Sequence, residues 1–262
     1  MKSSSEHKKR IQEAEKHAQK HSQPVVEKST ISVPVSSSQP KGGSRQGQPM
    51  DKKKQTRSEI KIRPATPGDA EFASKLLFLS SPLFAQNFIG LGKEERAKKI
   101  IKQMFTMPDH RLSYENVWII ELKGQKVGLI SHIAGNKLGR ANRRFGSGLM
   151  KFYKMNGKVA LIKRILPLIF LKESSKKDYS ISSIAVLPRF QGQGIGKIAI
   201  KHIEKQARAT GFTSISVLVP IQNSHARAFF EHLGYKVRSV VLESNKRIKT
   251  FGSGYQYMNR SL

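Results

Sequence analysis

The sequence has no cysteine among its 262 residues. Disulfide staples, thiolate nucleophiles and cysteine-based zinc sites are therefore excluded, and the composition fits a reducing compartment such as the cytoplasm. A long apolar run is missing as well. A membrane-spanning helix needs roughly 18–20 apolar residues. The longest stretch here, VALIKRILPLIFL (Val159 to Leu171), is interrupted by Lys163, Arg164 and Pro167. The first residues, MKSSSEHKKRIQEAEKHAQKH, lack the apolar centre of a secretory signal. Their scattered histidines, His7, His17 and His21, suit solvated side chains better than metal ligands, and no metal site is expected. Acidic residues are scarce: 18 Asp+Glu face 48 Lys+Arg, a formal net charge of +30. Residues 1–58 hold 13 basic and 5 acidic residues, or +8, which leaves +22 for the remainder. Such a field attracts nucleic acid, anionic membrane and phosphorylated ligands alike, without choosing among them.

Composition divides the chain. Residues 1–58 are dominated by Ser, Gln, Lys, Glu, Gly and Pro, too little apolar surface to offset the entropy of ordering them, so a disordered basic tail is expected. From Glu59 the texture changes to one folded domain, 59–262. EIKIRPA alternates as a first strand. Thr66, Pro67 and Asp69 then form a helix-start signature, an N-cap, a proline at the first helical position and a capping-box acid. A second helical region covers Ser81 to Phe105, broken near GLGKEE. NVWIIEL and KVGLISHIA read as a hairpin closed at Lys123-Gly124. A basic, poorly periodic insert, 135–177, follows. After it come a strand over Ser180–Leu187, a glycine loop, a helix to Ala209, the strand FTSISVLVP and the helix NSHARAFFEHLG. Two strands, YKVRSVVLE and TFGSGYQYMNR, close the chain. The order β-α-α-β-β-(helical insert)-β-α-β-α-β-β implies a mixed α/β sheet.

The chemistry concentrates in the loop PRFQGQGIGKIAI, where Gly192, Gly194 and Gly196 stand between a strand and a helix start. Helix N-termini carry unpartnered N–H groups and the positive end of the macrodipole, and glycine lets an anion approach the backbone. A dinucleotide fingerprint would need G-x-G-x-x-G and an acid about 20 residues on, neither of which is present. A P-loop would need Ser or Thr after Gly-Lys, and Ile198 stands there. A simple tight turn remains open on the loop alone.

Four features together resemble the GNAT superfamily of acyl-CoA-dependent N-acetyltransferases. Gln191-Gly192-Gln193-Gly194-Ile195-Gly196 fits the family's Q/R-x-x-G-x-G/A loop, and IAVLPRF resembles the strand end before it. Asn223, Ala226, Phe230, Gly234 and Tyr235 fit its N-x-x-A-x-x-x-Y-x-x-x-G-F/Y pattern with one departure, and YQYMNRSL resembles its terminal strand. The resemblance spans about residues 59–262. It implies a mostly antiparallel central sheet, flanked by helices and splayed where acetyl-CoA lies as co-substrate. Backbone N–H groups of Gln191, Gly192, Gln193, Gly194, Ile195, Gly196 and Lys197 would hold the pyrophosphate. Ile184, Ala185 and Val186 would pair with the amide-rich pantetheine arm, one N–H facing the thioester oxygen. Asn223 would bond that arm or cap its own helix, and Phe230 would pack on the acyl end or in the core.

The departure is at Phe230, where many members carry a tyrosine thought to protonate the leaving thiolate. Tyr179 and Tyr235 are the substitutes to consider. Glu121, His132 and Asp178 are candidates for the base that must deprotonate an ammonium of pKa near 10, with a water chain as the alternative. By the same resemblance the insert, rich in Arg140, Arg143, Arg144, Lys151, Lys154, Lys158, Lys163 and Arg164, lies at the acceptor mouth. There it would favour an acidic or phosphate-bearing acceptor, although a membrane-surface helix or an ordinary packing helix fits its residues too. The function expected is acetyl transfer from acetyl-CoA to an amine in a ternary complex. A non-catalytic module of the same fold, binding CoA or a polyanion, is the second reading.

Overall fold

A computed structural model describes residues 59–165, 174–242, 252 and 254–262. The expected tail, 1–58, and the 166–173 part of the insert lie outside the described residues. The element order agrees with the sequence reading. β1 (Ile60–Pro64) leads through a short turn of helix at Pro67–Asp69 into α1 (Ala70–Ser80). Short turns at Pro82–Phe84 and Ala85–Ile89 precede α2 (Glu94–Phe105). β2 (Val117–Leu122) and β3 (Gln125–Ala134) form the hairpin, and α3 (Gly135–Met150) and α4 (Met155–Ile165) form the insert. β4 (Asp178–Val186), α5 (Ile195–Ala209), β5 (Ser214–Pro220), α6 (Ser224–His232), β6 (Lys236–Leu242) and β7 (Gly254–Ser261) complete the chain.

The start signature holds its first turn by side-chain chemistry. The Asp69 carboxylate accepts the Thr66 N–H at 2.9 Å and is bracketed by Arg63 at 2.9 Å and Lys126 at 2.6 Å. The hydrogen bonds from Arg63 hold the Asp69 carboxyl well below the usual carboxylate range. At the hairpin, Lys123 and Gly124 both take positive φ, 52° and 77°. Two left-handed residues in a two-residue loop match the twist of the strands they join.

The seven strands lie in the order β1-β2-β3-β4-β5-β7-β6, antiparallel throughout except for the parallel pair β4–β5. Alternating strand residues feed two cores. On one face Leu76, Leu77, Ile101, Met104 and Phe105 of α1 and α2 pack with Ile119 and Leu129. On the other, Ala199, Ile200, Ile203 and Ala207 of α5 pack with Ile130, Ile181, Val217 and Tyr235.

The insert corrects one expectation. Its first half is periodic: Leu138, Ala141, Phe145 and Leu149 are all buried at helical spacing. Gly139, Gly146 and Gly148 dilute that stripe in the sequence without interrupting the helix.

Candidate functional site

The site starts from a divergence in the sheet. β4 and β5 pair only from Asp178–Ser214 to Ile181–Val217; beyond this β4 runs on beside β3, and β5 beside β7. The two central strands therefore part, leaving an unpaired β4 edge from Ser182 onward. The Leu187 N–H donates to the Val127 carbonyl, and Ala185 stands opposite Leu129. Antiparallel alternation then turns the polar backbone groups of Ile184 and Val186 into the gap and those of Ala185 toward β3. The Val186 carbonyl is already engaged there, accepting from Gln191 Nε2 at 2.8 Å, which ties the glycine loop to the strand edge.

The loop itself needs its glycines. Gly192 and Gly194 take φ of 75° and 80°, left-handed values that cost other residues about 1–2 kcal/mol. Gly194 is the N-cap of α5 and offers no side chain, so the first helical amides are uncapped. The first hydrogen bond of the helix runs from Ile198 N–H to the Gly194 carbonyl. None of the N–H groups of Gly192 to Lys197 has a partner among the described residues. Six unpartnered donors thus stand at or just before the positive end of a fifteen-residue helix. Gly196 is required for a different reason. A Cβ there would lie 3.2 Å from the Phe229 ring and 3.9 Å from Ile184 Cδ1, so loop, β4 edge and α6 meet at this point.

Asn223 caps α6, its Oδ1 accepting the Ala226 N–H at 3.0 Å, and the residue itself is exposed. Phe230 is only 2% exposed, edge-on to Phe229 and Tyr235 with ring centroids 5.2 Å away in each case. It belongs to the core beneath α6, and its neighbour Phe229 is the ring that stands against Gly196.

The titratable candidates are each held by other partners. Trp118 Nε1–H donates to His132 Nε2 at 2.8 Å, and His132 Nδ1 faces the Tyr179 hydroxyl at 2.9 Å. Indole only donates, so Nε2 is the bare nitrogen and the proton of neutral His132 sits on Nδ1. Burial pushes the His132 pKa down to about 4, helped by His202. Burial also raises Tyr179. The Tyr235 hydroxyl points at Glu204 Oε1, 3.4 Å away, which Arg260 also holds, and burial first of all keeps that phenol protonated far above its ordinary range. Glu121 pairs with Arg63 at 2.8 Å, two strands away from β4. Asp178 accepts from the Ser175 N–H at 3.0 Å and from the Ser214 and Tyr257 hydroxyls. It pins the start of β4, with burial and this carboxylate pushing Tyr257 up to about 12.

Opposite the α5 face lies a small cavity of about 70 Å³, lined by Ser80, Ser81, Ser131, Ser182, Ser183 and Arg111 beside Leu77, Phe84 and Ile89. Ser80 donates to Ser183 at 3.2 Å. It adjoins the residues where β4 leaves β5 and where the β3–β4 register shifts between Ser131 and His132. Serines on a strand give no distinctive sequence signal. No cluster of three or more His, Asp or Glu among the described residues is arranged to hold a metal.

Known proteins agree with this architecture. Residues 94–235 match the acetyltransferase (GNAT) family model. Among solved structures, one described as an acetyltransferase superposes with a TM-score of 0.58 at 19% identity, covering 77% of this chain and 98% of its own. An N-acetyltransferase from Staphylococcus aureus Mu50 gives 0.58 at 15% identity, covering 76% and 100%. An agmatine N-acetyltransferase, in the apo form of a point mutant, gives 0.51 at 13% identity, covering 78% and 100%. Identities this low speak for the fold alone. The family model spans more than half of the chain, and with the splayed strands and uncapped glycine turn it places this protein in the GNAT acetyltransferase family.

Proposed function

We propose that the protein transfers an acetyl group from acetyl-CoA directly to an amine acceptor bound beside it. The observation that carries this reading is the parting of β4 from β5 next to six unpartnered amides at the start of α5. The pyrophosphate of the co-substrate suits those amides, with Lys197 in the same turn. The amides and carbonyls of a pantetheine arm match the β4 edge at Ile184 and the Val186 N–H, as an added strand would, while the Val186 carbonyl stays with Gln191. Ala185, turned toward β3, contributes surface rather than backbone bonds. Asn223 is left to offer its amide nitrogen while its oxygen caps α6.

The chemistry follows from the donors at that edge. Attack of a neutral amine on the thioester carbonyl places negative charge on its oxygen. A β4 N–H from Ile184 or Val186 is directed into the gap to stabilise that charge. Collapse expels the CoA thiolate, whose conjugate thiol has a pKa near 8–9, so departure without an acid is chemically accessible. Phe230 offers no proton, and the Tyr235 phenol is engaged with Glu204 inside the core. The incoming ammonium must lose a proton, and Glu121, His132 and Asp178 are all committed elsewhere. The serine-lined cavity suits an ordered water chain to solvent in place of a single base. The Ala85–Ile89 turn, on which α4 rests, walls this cavity through Ala85 and Ile89. That arrangement supports the insert as part of the acceptor mouth, where its positive charge would oppose polyamines.

Thiol release from acetyl-CoA, followed with and without a panel of amines, tests the reading. Amine-dependent release with a matching N-acetyl product is the expected result. CoA binding with no transfer to any amine would leave the non-catalytic reading, which Phe230 motivates, in its place.

A further inference from the structure

Eight large apolar side chains stand exposed among the described residues, and three of them, Met155, Val159 and Ile162, lie on α4 at i, i+4 and i+7. At about 100° per residue they occupy one narrow stripe, with Lys158 and Lys163 each about 40° beyond its margins. Met155 is 72% exposed and the other two 49%. The opposite side of the helix is already used. Leu161 is fully buried, Arg164 donates to the Asn87 carbonyl, and the preceding Tyr153 donates to the Ile89 carbonyl. The helix is thus fastened by one face and, among the described residues, presents an exposed apolar stripe on the other. Its own stretch of sequence is of one sign: residues 135–165 contain nine Lys and Arg and no Asp or Glu, although Arg140 and Arg144 pair with Asp109.

We propose that α4 is a docking face for bilayers rich in anionic lipid. An eleven-residue helix is about 16 Å long, too short to cross a bilayer but suited to lie in its interface. There Met155, Val159 and Ile162 leave water for the acyl boundary, while Lys154, Lys158 and Lys163 keep their ammonium groups at the level of the phosphates. Charge complementarity selects the occupant. A nucleic acid would satisfy the lysines but leave the apolar stripe wet, and a neutral bilayer would take the stripe without using the charge. The attraction adds apolar burial to a surface-potential term, so it needs both halves of the pattern.

Co-sedimentation of the full chain with vesicles of phosphatidylcholine and phosphatidylserine (3:1), at about 0.15 M salt, tests this. Wild type should bind these vesicles and bind pure phosphatidylcholine much less. The V159D/I162D variant keeps every lysine and the whole N-terminal region, and should bind the anionic vesicles at least tenfold more weakly. K158E/K163E should lose a similar factor. Val159, Ile162 and Lys163 are exposed and Lys158 is half-buried, so melting curves should change little. Because the chain has no cysteine, Val159→Cys creates a single labelling site. A solvatochromic label there should shift to the blue on anionic vesicles only. Wild-type affinity in V159D/I162D, or an unshifted label on bound protein, would overturn the proposal. So would loss of a dimer in the stripe variant, or stripe-dependent binding to single-stranded RNA, since each assigns the face to another partner.

Discussion

A valine at Gly194 separates the backbone role of the loop from its contribution to stability. The Gly194 φ of 80° would be strained for any L-residue by about 1–2 kcal/mol, and a β-branched one is the worst case. The Cβ itself adds no clash, since at Gly194 it meets no atom within 4 Å. Gly211, just beyond the other end of α5, is a matched control: its φ is 82° and its Cβ direction is equally empty. Gly194→Val and Gly211→Val should therefore lower the melting temperature alike, by roughly 2–8 °C for about 1–2 kcal/mol in a domain of this size. Only the first should disturb ligand binding. Relieving its strain rotates the peptide planes beside Gly194 and misdirects at least one of the amides proposed to hold the pyrophosphate. A hydrogen bond to a charged group contributes about 1.5–3 kcal/mol, so CoA affinity should fall about 10- to 100-fold. Titration calorimetry on both variants measures this. Equal CoA affinities in two folded variants would refute the assignment of the loop to the pyrophosphate.

Three further outcomes follow from the buried groups. Phe230→Tyr places a hydroxyl in a filled aromatic cluster, so it should cost about 1–3 kcal/mol of stability and change turnover less than tenfold, read from melting curves and initial rates. Asp178→Asn turns an amide N–H₂ toward groups that already donate; stability should fall by about 1–3 kcal/mol while turnover per folded molecule stays within a few-fold, and a loss beyond a hundredfold would restore Asp178 as the base. His132 is held neutral in the fold, with its pKa lowered from 6.5 to about 4. Protonation therefore favours the unfolded chain, so the contribution of His132 to stability is full above pH 6.5 and declines as pH falls from 6.5 toward 4. Urea midpoints should show this decline, and His132→Gln should flatten it.

Local signals carried the fold a long way. Thr66, Pro67 and Asp69, the Lys123-Gly124 turn and the Gly192–Gly196 loop each specify a conformation within a few residues, and each stands where it was expected. The α3 stripe was obscured because Ala141 is small and glycines surround its larger members. Site candidates fared differently, because their state depends on residues far away in the chain. His132 is occupied by Trp118 and Tyr179, 14 and 47 residues distant, and Asp178 by Tyr257, 79 residues distant. Whether Phe229 or Phe230 faces Gly196 depends on how α6 rolls onto the sheet, which a two-phenylalanine sequence leaves open.

The most direct test of the account is mass spectrometry on a single reaction: protein, isotopically labelled acetyl-CoA and a panel of amines and acidic peptides, with free thiol measured alongside. Direct transfer predicts labelled N-acetyl product in step with thiol release and no acetyl group retained on the protein. Bound CoA with neither product nor thiol, or label accumulating on the protein before any acceptor, would contradict it.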